Sequence, residues 1–185
     1  MKKRNTILTL TAIAVLILFL FIANMTLDHY IVRILNLCAI YTVLGLSMNL
    51  INGFTGLFSL GHAGFMAVGA YATALCTMSI ATKQKIFFLV PLASPLDKIE
   101  WPFLPSLLLA GLLSAIVAFL IGAPVLRLKG EYLAIATLGF GEIIRVIFTN
   151  TQNITNGALG LKSIPVTTNL YWSFGTAVIT IYIFV

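Results

Sequence analysis

The sequence predicts an all-α fold: a polytopic bundle of transmembrane helices with one broken helix near residues 52–64. Three observations carry this expectation. Hydrophobic residues make up 60% of the chain and charged residues 9%, against about 45–50% and about 25% in ordinary soluble domains. The apolar residues gather in runs close to the roughly 20 residues that cross a bilayer, so about five or six spans would use most of the chain. Inside the apolar region, residues 52–71 read NGFTGLFSLGHAGFMAVGAY, with five glycines, a histidine and several hydroxyls. An unpaired backbone group in lipid costs several kcal/mol, so irregular backbone is expected there only if buried in protein or lining a wet cavity.

One membrane domain covering residues 1–185 is expected, with little chain left for a soluble one. The formal charge of +6 comes from eleven basic residues scattered over the termini and loops. No basic stripe interleaves with aromatics, so the charge reads as membrane topology and not as nucleic-acid binding. Cys38 and Cys76 lie in separate apolar segments, outside any C-x-x-C setting, and read as small buried residues.

Met1, Lys2, Lys3 and Arg4 precede an apolar run over residues 6–27. That run exceeds the roughly 7–15 residues of a signal-peptide core and no clear small-x-small cleavage site follows, so an uncleaved first helix is the preferred reading over a signal peptide. Its basic flank places the N-terminus in the cytoplasm. After the polar turn of Asp28, His29 and Arg33, residues 34–51 form a second span containing Asn36, Ser47 and Asn49. Lone amides in such helices commonly make interhelical hydrogen bonds; Asn49 also borders the glycine stretch.

A third span over residues 63–82 places Ala63, Ala67, Ala70 and Ala74 along one side, and a fourth, residues 104–126, repeats the device with Ala110, Ser114, Ala118 and Gly122. Small residues on one face allow close helix packing in lipid. Between these spans, residues 83–103 hold Lys83, Lys85, Asp97, Lys98 and Glu100 around the apolar patch IFFLVPLASPL, interrupted by Pro91 and Pro95. The patch is too short to cross, and reads as an interfacial loop segment with Trp101 near the headgroups.

The fifth span, residues 133–149, contains Glu142 and Arg145, three apart and so able to pair on one helix face. Glu142 lies about 15 Å along the helix from Tyr132, near mid-membrane. Charges inside a membrane cost at least ~2.5–3.5 kcal/mol on insertion scales, and the pair reads as either structural or gating. Residues 150–169 turn polar and read as an extracytoplasmic loop, in which Asn153-Ile-Thr155 fits a glycosylation acceptor. With single crossings, Lys2, Lys3, Arg4, Arg127 and Lys129 fall inside and Arg33, Lys83, Lys85, Lys98 and Lys162 outside, so the orientation rests on the N-terminal charges alone. A final apolar run begins at Leu170 and stops at Val185.

The sequence contains no G-x-x-x-x-G-K-[ST] phosphate loop, no Cys/His cluster with metal spacing and no G-x-S-x-G elbow. No enzymatic activity, cofactor or metal is expected of the chain. Interrupted helices near the midplane are where transporters meet polar substrate atoms. On that ground Asn49, Gly53, Gly56, Ser59, Gly61, His62 and Gly64 are the expected translocation pathway and helix break, with Glu142 and Arg145 as the intramembrane ion pair.

Three separated blocks, GLFSLGHAGFMAVGAY (residues 56–71), LRLKGEYLAIATLGFGEIIR (126–145) and TNGALGLKSIP (155–165), resemble the permease subunits of branched-chain amino-acid ABC importers. Permeases for urea or short-chain amides share much of the pattern and are the alternative. The resemblance implies a multi-pass subunit of a prokaryotic cytoplasmic (inner) membrane that passes aliphatic amino acids by alternating access. It also implies four kinds of contact: the lipid bilayer, a second permease subunit, two cytoplasmic ATPase subunits and an extracytoplasmic substrate-binding protein. Members of that family run past this length and carry a cytoplasmic coupling helix in their C-terminal half, so the chain is expected to correspond to their N-terminal part, truncated or naturally short. Two other classes stand beside this reading: a proton-coupled secondary transporter using Glu142 or His62 as carrier, and a purely structural membrane subunit whose glycines serve packing.

Overall fold

A computed structural model describes residues 15–88, 90–94, 96–166 and 168–184 of the chain. Lys2, Lys3 and Arg4, on which the orientation rests, lie outside these residues, as do Leu89 and Pro95 of the middle loop. The described residues form helices and connecting turns, with no strand among them.

Among the described residues eight α-helices follow in chain order: α1 (Val15–Thr26), α2 (His29–Asn49), α3 (His62–Thr77), α4 (Ile80–Ile86), α5 (Phe103–Val125), α6 (Glu131–Asn150), the single turn α7 (Gln152–Thr155) and α8 (Leu170–Phe184). A π-helical turn, Leu50–Phe54, continues directly from α2. Among the described residues three helices are long and apolar enough to cross a membrane: α2 with its π-turn, α5 and α6. A fourth span arises if α3 and α4 count as one bent element, with a bend of 118° between them. Helices α1 and α8 are apolar but shorter over the described residues.

The helices gather into two compact units. In the first, α8 packs on α2, and Leu20, Ala23 and Leu170 form a small buried cluster flanked by Leu16, Val32, Leu35 and Phe174. Asp28 caps α2, accepting from the His29 amide at 2.8 Å, which starts that helix five residues before the expected Ile34. The buried Oδ1 of Asn36 has no hydrogen-bond partner among the described residues.

The second unit is built on α3, which packs along α5 and crosses α6. The α3–α5 contact closes where Ser114 Oγ donates to the Phe65 carbonyl at 2.9 Å. A β-carbon added to Gly69 would stand 3.2 Å from the same Oγ. Of the small residues of α5, Ser114 thus makes the close approach that their spacing predicts, against Phe65 and Gly69 of α3, whereas Ala118 and Gly122 line a cavity. Ala63 and Ala67 instead line a groove beside α6, and Ala70 and Ala74 face Leu161 and Ile164.

The span expected over residues 63–82 ends early, because Ser79 begins a new helix: its side chain accepts from the Thr82 amide and lies 2.8 Å from the Thr82 hydroxyl. The loop after it is more ordered than an interfacial segment need be. Leu75, Phe87 and Leu92 form its core with Ile86, Leu96, Ile154 and Leu161. Lys83, expected from the sequence in a loop with an interfacial segment, lies in α4 and is fully buried, and its ammonium donates to the carbonyl of Leu96 at 2.9 Å and to that of Ile99. The Thr155 hydroxyl of the expected glycosylation acceptor is also buried, bonded to the carbonyls of Thr151 and Phe148, so this motif is folded into the structure.

Candidate functional site: the helix break and the α3–α6 crossing

The break follows from local backbone chemistry. After Asn49 the α-helical ladder widens into the π-turn Leu50–Phe54, and residues 55–61 are non-helical before α3 opens at His62. Such π-turns are rare and frequent at functional sites. Gly56 has φ +67°, a left-handed conformation that costs an L-residue roughly 1–2 kcal/mol and glycine almost nothing.

Leaving the helix strands amide groups that lipid cannot satisfy, and side chains supply the acceptors. The Leu57 amide donates to Thr55 Oγ1 at 3.3 Å, the Ser59 amide to Asn52 Oδ1 at 3.2 Å, and the Leu60 amide to Thr137 Oγ1 at 3.0 Å. The last of these ties the break to α6. Thr55 Oγ1 in turn donates to the Ile51 carbonyl, closing the π-turn on itself. The hydroxyls and amides in this stretch therefore hold a non-helical backbone in a defined shape.

The sequence-predicted residues divide among these parts. Gly53 lies in the π-turn, Gly56 and Ser59 in the non-helical segment, and Gly61 at the cap of α3. Asn49 is the last residue of α2 and exposed, while His62 and Gly64 belong to the first turn of α3, one half-buried and the other buried. The break thus runs earlier than the expected 52–64, from the π-turn at Leu50 to Gly61, because α3 can begin once Gly61 has brought the chain against α6. A β-carbon on Gly61 would stand 3.0 Å from the Thr137 carbonyl oxygen, and one on Gly64 would stand 3.2 Å from Gly141 Cα. Side chains larger than hydrogen would force α3 and α6 apart.

Two cavities flank this crossing. One, of about 330 Å³, lies among the break, α5 and α6 and is almost wholly apolar, with Ile51, Phe65, Ile121, Leu133 and Phe140 in its wall and Thr55 and Ser59 at its polar edge. The other, of about 260 Å³, runs between α3 and α6 and is lined by Ala63, Ala67, Tyr71, Leu138, Glu142 and Arg145. Arg145 Nη1 donates to Glu142 Oε2 at 2.9 Å, as the spacing of three predicts. The pair is not enclosed, however: the side chains are 73% exposed for Arg145 and 57% for Glu142. Tyr71, also in the wall of this groove, packs edge-on against Phe148, ring centroids 4.8 Å apart.

Sequence reasoning missed Asn52 and Thr137 as individual acceptors and Gly141 as the backbone facing Gly64. Asn52 stood at the border of the glycine stretch and was legible there. Thr137 and Gly141 lie roughly eighty residues from their partners, and nothing in their own neighbourhood marks them. Among the described residues no group of His, Cys, Asp or Glu could hold a metal ion.

Comparison with known proteins adds the following. The family model of the permease component of branched-chain amino acid transport systems matches residues 30–184. The chain is 43% identical over 134 residues to the high-affinity branched-chain amino acid transport system permease protein LivM of Salmonella typhimurium, an alignment covering 72% of this chain and 27% of that protein. It is 42% identical over 134 residues to the LivM protein of Escherichia coli, with the same shares covered. The chain thus spans about a quarter of the length of the curated relatives it matches. No solved structure matches it significantly.

Proposed function

We propose that this chain, which belongs to the family of branched-chain amino acid transport permease components, acts as a membrane-embedded permease subunit of an ABC importer for aliphatic amino acids. It does so as a single membrane domain in a prokaryotic cytoplasmic membrane, N-terminus inside. A binding protein delivers the amino acid from outside, two ATPase subunits close on the cytoplasmic face, and the chain rocks against a second permease subunit so that the substrate passes between them.

The observation that carries this reading is the pre-shaped break. Residues 55–61 leave the helix, yet the amides of Leu57, Ser59 and Leu60 all find side-chain acceptors. Irregular backbone at membrane depth is tolerated where it lines a cavity, and transporters place substrate at such interruptions. Asn49, Gly53, Gly56, Ser59, Gly61, His62 and Gly64 border or build this break and form the route. Glu142 and Arg145, in the groove beside the same crossing, act as its gate or support.

The test is uptake of radiolabelled leucine into vesicles holding the chain extended by the C-terminal half that its relatives carry, the second permease and both ATPases, with binding protein supplied outside. Uptake that requires enclosed ATP and survives collapse of a proton gradient is expected. Uptake driven by the gradient without ATP would overturn the reading in favour of a proton-coupled carrier, and transport of urea or acetamide in place of leucine would move it to an amide permease.

A further inference from the structure

The proposed route leaves one feature without a ligand chemistry: two full charges standing side by side in an open groove on a helix built to cross a membrane. Helix α6 is long and apolar enough to span, and charges at such depth are costly and usually mark substrate pathways. The pair does not behave as a sealed structural bridge, since both side chains remain more than half exposed. A buried bridge would be expected to have its remaining donors and acceptors satisfied by the protein.

The groove matches one kind of molecule in charge and in shape. Glu142 Oε2 and Arg145 Nη1 are 2.9 Å apart, so the surface presents adjacent negative and positive charges with no net charge. The head of a free amino acid presents an adjacent ammonium and carboxylate, likewise with no net charge. Docked head to head, the ammonium meets the Glu142 carboxylate, and the carboxylate meets the guanidinium N–H groups that Glu142 leaves unused. Guanidinium and carboxylate can pair through two parallel hydrogen bonds. The rest of the groove is mainly apolar, with Ala63, Gly64 and Ala67 on α3 and Leu138 on α6, and its other polar groups are the uncharged hydroxyls of Tyr71 and Thr149, within a volume of about 260 Å³. That leaves room beside the charges for an aliphatic side chain and offers no further charge to select a polar one.

We infer that Glu142 and Arg145 form a binding station for the zwitterionic head of an aliphatic amino acid, with Ala63, Ala67 and Leu138 receiving its side chain. The inference rests on the permease reading above and gives its ion pair a substrate. It also separates amino acids from the amides of the neighbouring class: urea carries no formal charge, so it gains little from two fixed charges. Selection by an apolar wall is modest, about 10–200-fold per methylene, so the charged head is the stronger discriminator.

The test uses the assembled membrane complex in lipid nanodiscs without its binding protein. Binding of L-leucine, of 4-methylpentanoate, which lacks the ammonium, and of 3-methylbutylamine, which lacks the carboxylate, is read by ligand-observed NMR. With Glu142→Gln, leucine and the amine are expected to weaken at least tenfold while the carboxylate ligand stays within twofold. With Arg145→Gln, leucine and the carboxylate ligand weaken at least tenfold and the amine stays within twofold. This crossed pattern cannot arise from a structural defect, which weakens every ligand alike, so uniform loss or no change in either variant overturns the inference.

Should the variants fail to assemble, the wild-type complex decides. A diazirine analogue of leucine is expected to label Ala63, Ala67 or Leu138 on irradiation and to be displaced by leucine; labelling confined to other sites overturns the station. ATP-dependent leucine uptake by the wild-type preparation keeps the two claims apart. Uptake without the crossed pattern or the label removes the station and leaves the permease reading standing, whereas no uptake of any aliphatic amino acid removes both.

Discussion

Gly64 and Gly141 meet backbone to backbone: a β-carbon built on Gly64 would lie 3.2 Å from Gly141 Cα and 2.9 Å from Ile144 Cδ1. The isoleucine methyl can swing away, but the backbone atom cannot, so an added methyl must push α3 from α6. Gly64→Ala is expected to lower the stability of the chain by about 1–3 kcal/mol, the usual cost of overpacking. Gly111→Ala is the control, since nothing lies within 4 Å of its added carbon, and it is expected to be neutral or stabilising by up to about 1 kcal/mol through helix propensity. Thermal unfolding of both variants in one detergent checks this; equal melting temperatures would contradict the close crossing.

The shape of the break depends on Gly56, whose φ is +67° with open space where a side chain would go. Space is therefore not the obstacle, and the cost of substitution is conformational. Gly56→Ala is expected to destabilise by roughly 1–2 kcal/mol, and Gly56→Asn by less, because asparagine visits the left-handed region more readily. A melting-temperature order of glycine, then asparagine, then alanine supports the left-handed turn. An alanine variant as stable as the parent would place residue 56 in ordinary helix.

Lys83 holds the segment after α4 from the inside. Its ammonium donates to the carbonyls of Leu96 and Ile99, and it is fully buried. Lys83→Met keeps the length of the side chain and removes the donors, leaving buried carbonyls at about 1–3 kcal/mol each. Faster proteolysis within residues 87–101 is expected, with cleavage elsewhere unchanged. Unaltered proteolysis would mean that the apolar cluster of Leu75, Phe87 and Leu92 suffices alone.

These cases show which features were legible in the sequence and which were not. Two of the long apolar helices were legible to within a couple of residues, expected at 104–126 and 133–149 and found at Phe103–Val125 and Glu131–Asn150, because run length and bordering polar residues are local signals, whereas α2 starts five residues early at its Asp28 cap. The break was legible for the same reason, from glycines and hydroxyls misplaced in an apolar run, and the Glu142–Arg145 bond followed from helical spacing. What could not be read depends on distant partners. Lys83 looks like any loop lysine until carbonyls thirteen and sixteen residues later fold over it. Thr137 looks like a helix threonine until the Leu60 amide, 77 residues away in sequence, arrives at its hydroxyl. The alanine side of α3 was assigned to close helix packing, yet part of it borders the groove with the ion pair; small residues leave space as well as close it.

Whether the break lines the substrate route can be read from cysteine accessibility in the assembled transporter. With Cys38 and Cys76 replaced, single cysteines at Gly53, Ser59 and, as an apolar control on α5 away from the break, Leu108, which is 75% exposed, are treated with a membrane-impermeant thiol reagent with and without leucine and ATP. Labelling at positions 53 and 59 is expected to change at least severalfold when leucine and ATP are both present, with none at position 108. Positions 53 and 59 as unreactive as 108, or reactive at a rate that substrate and ATP leave unchanged, would contradict a route along the break.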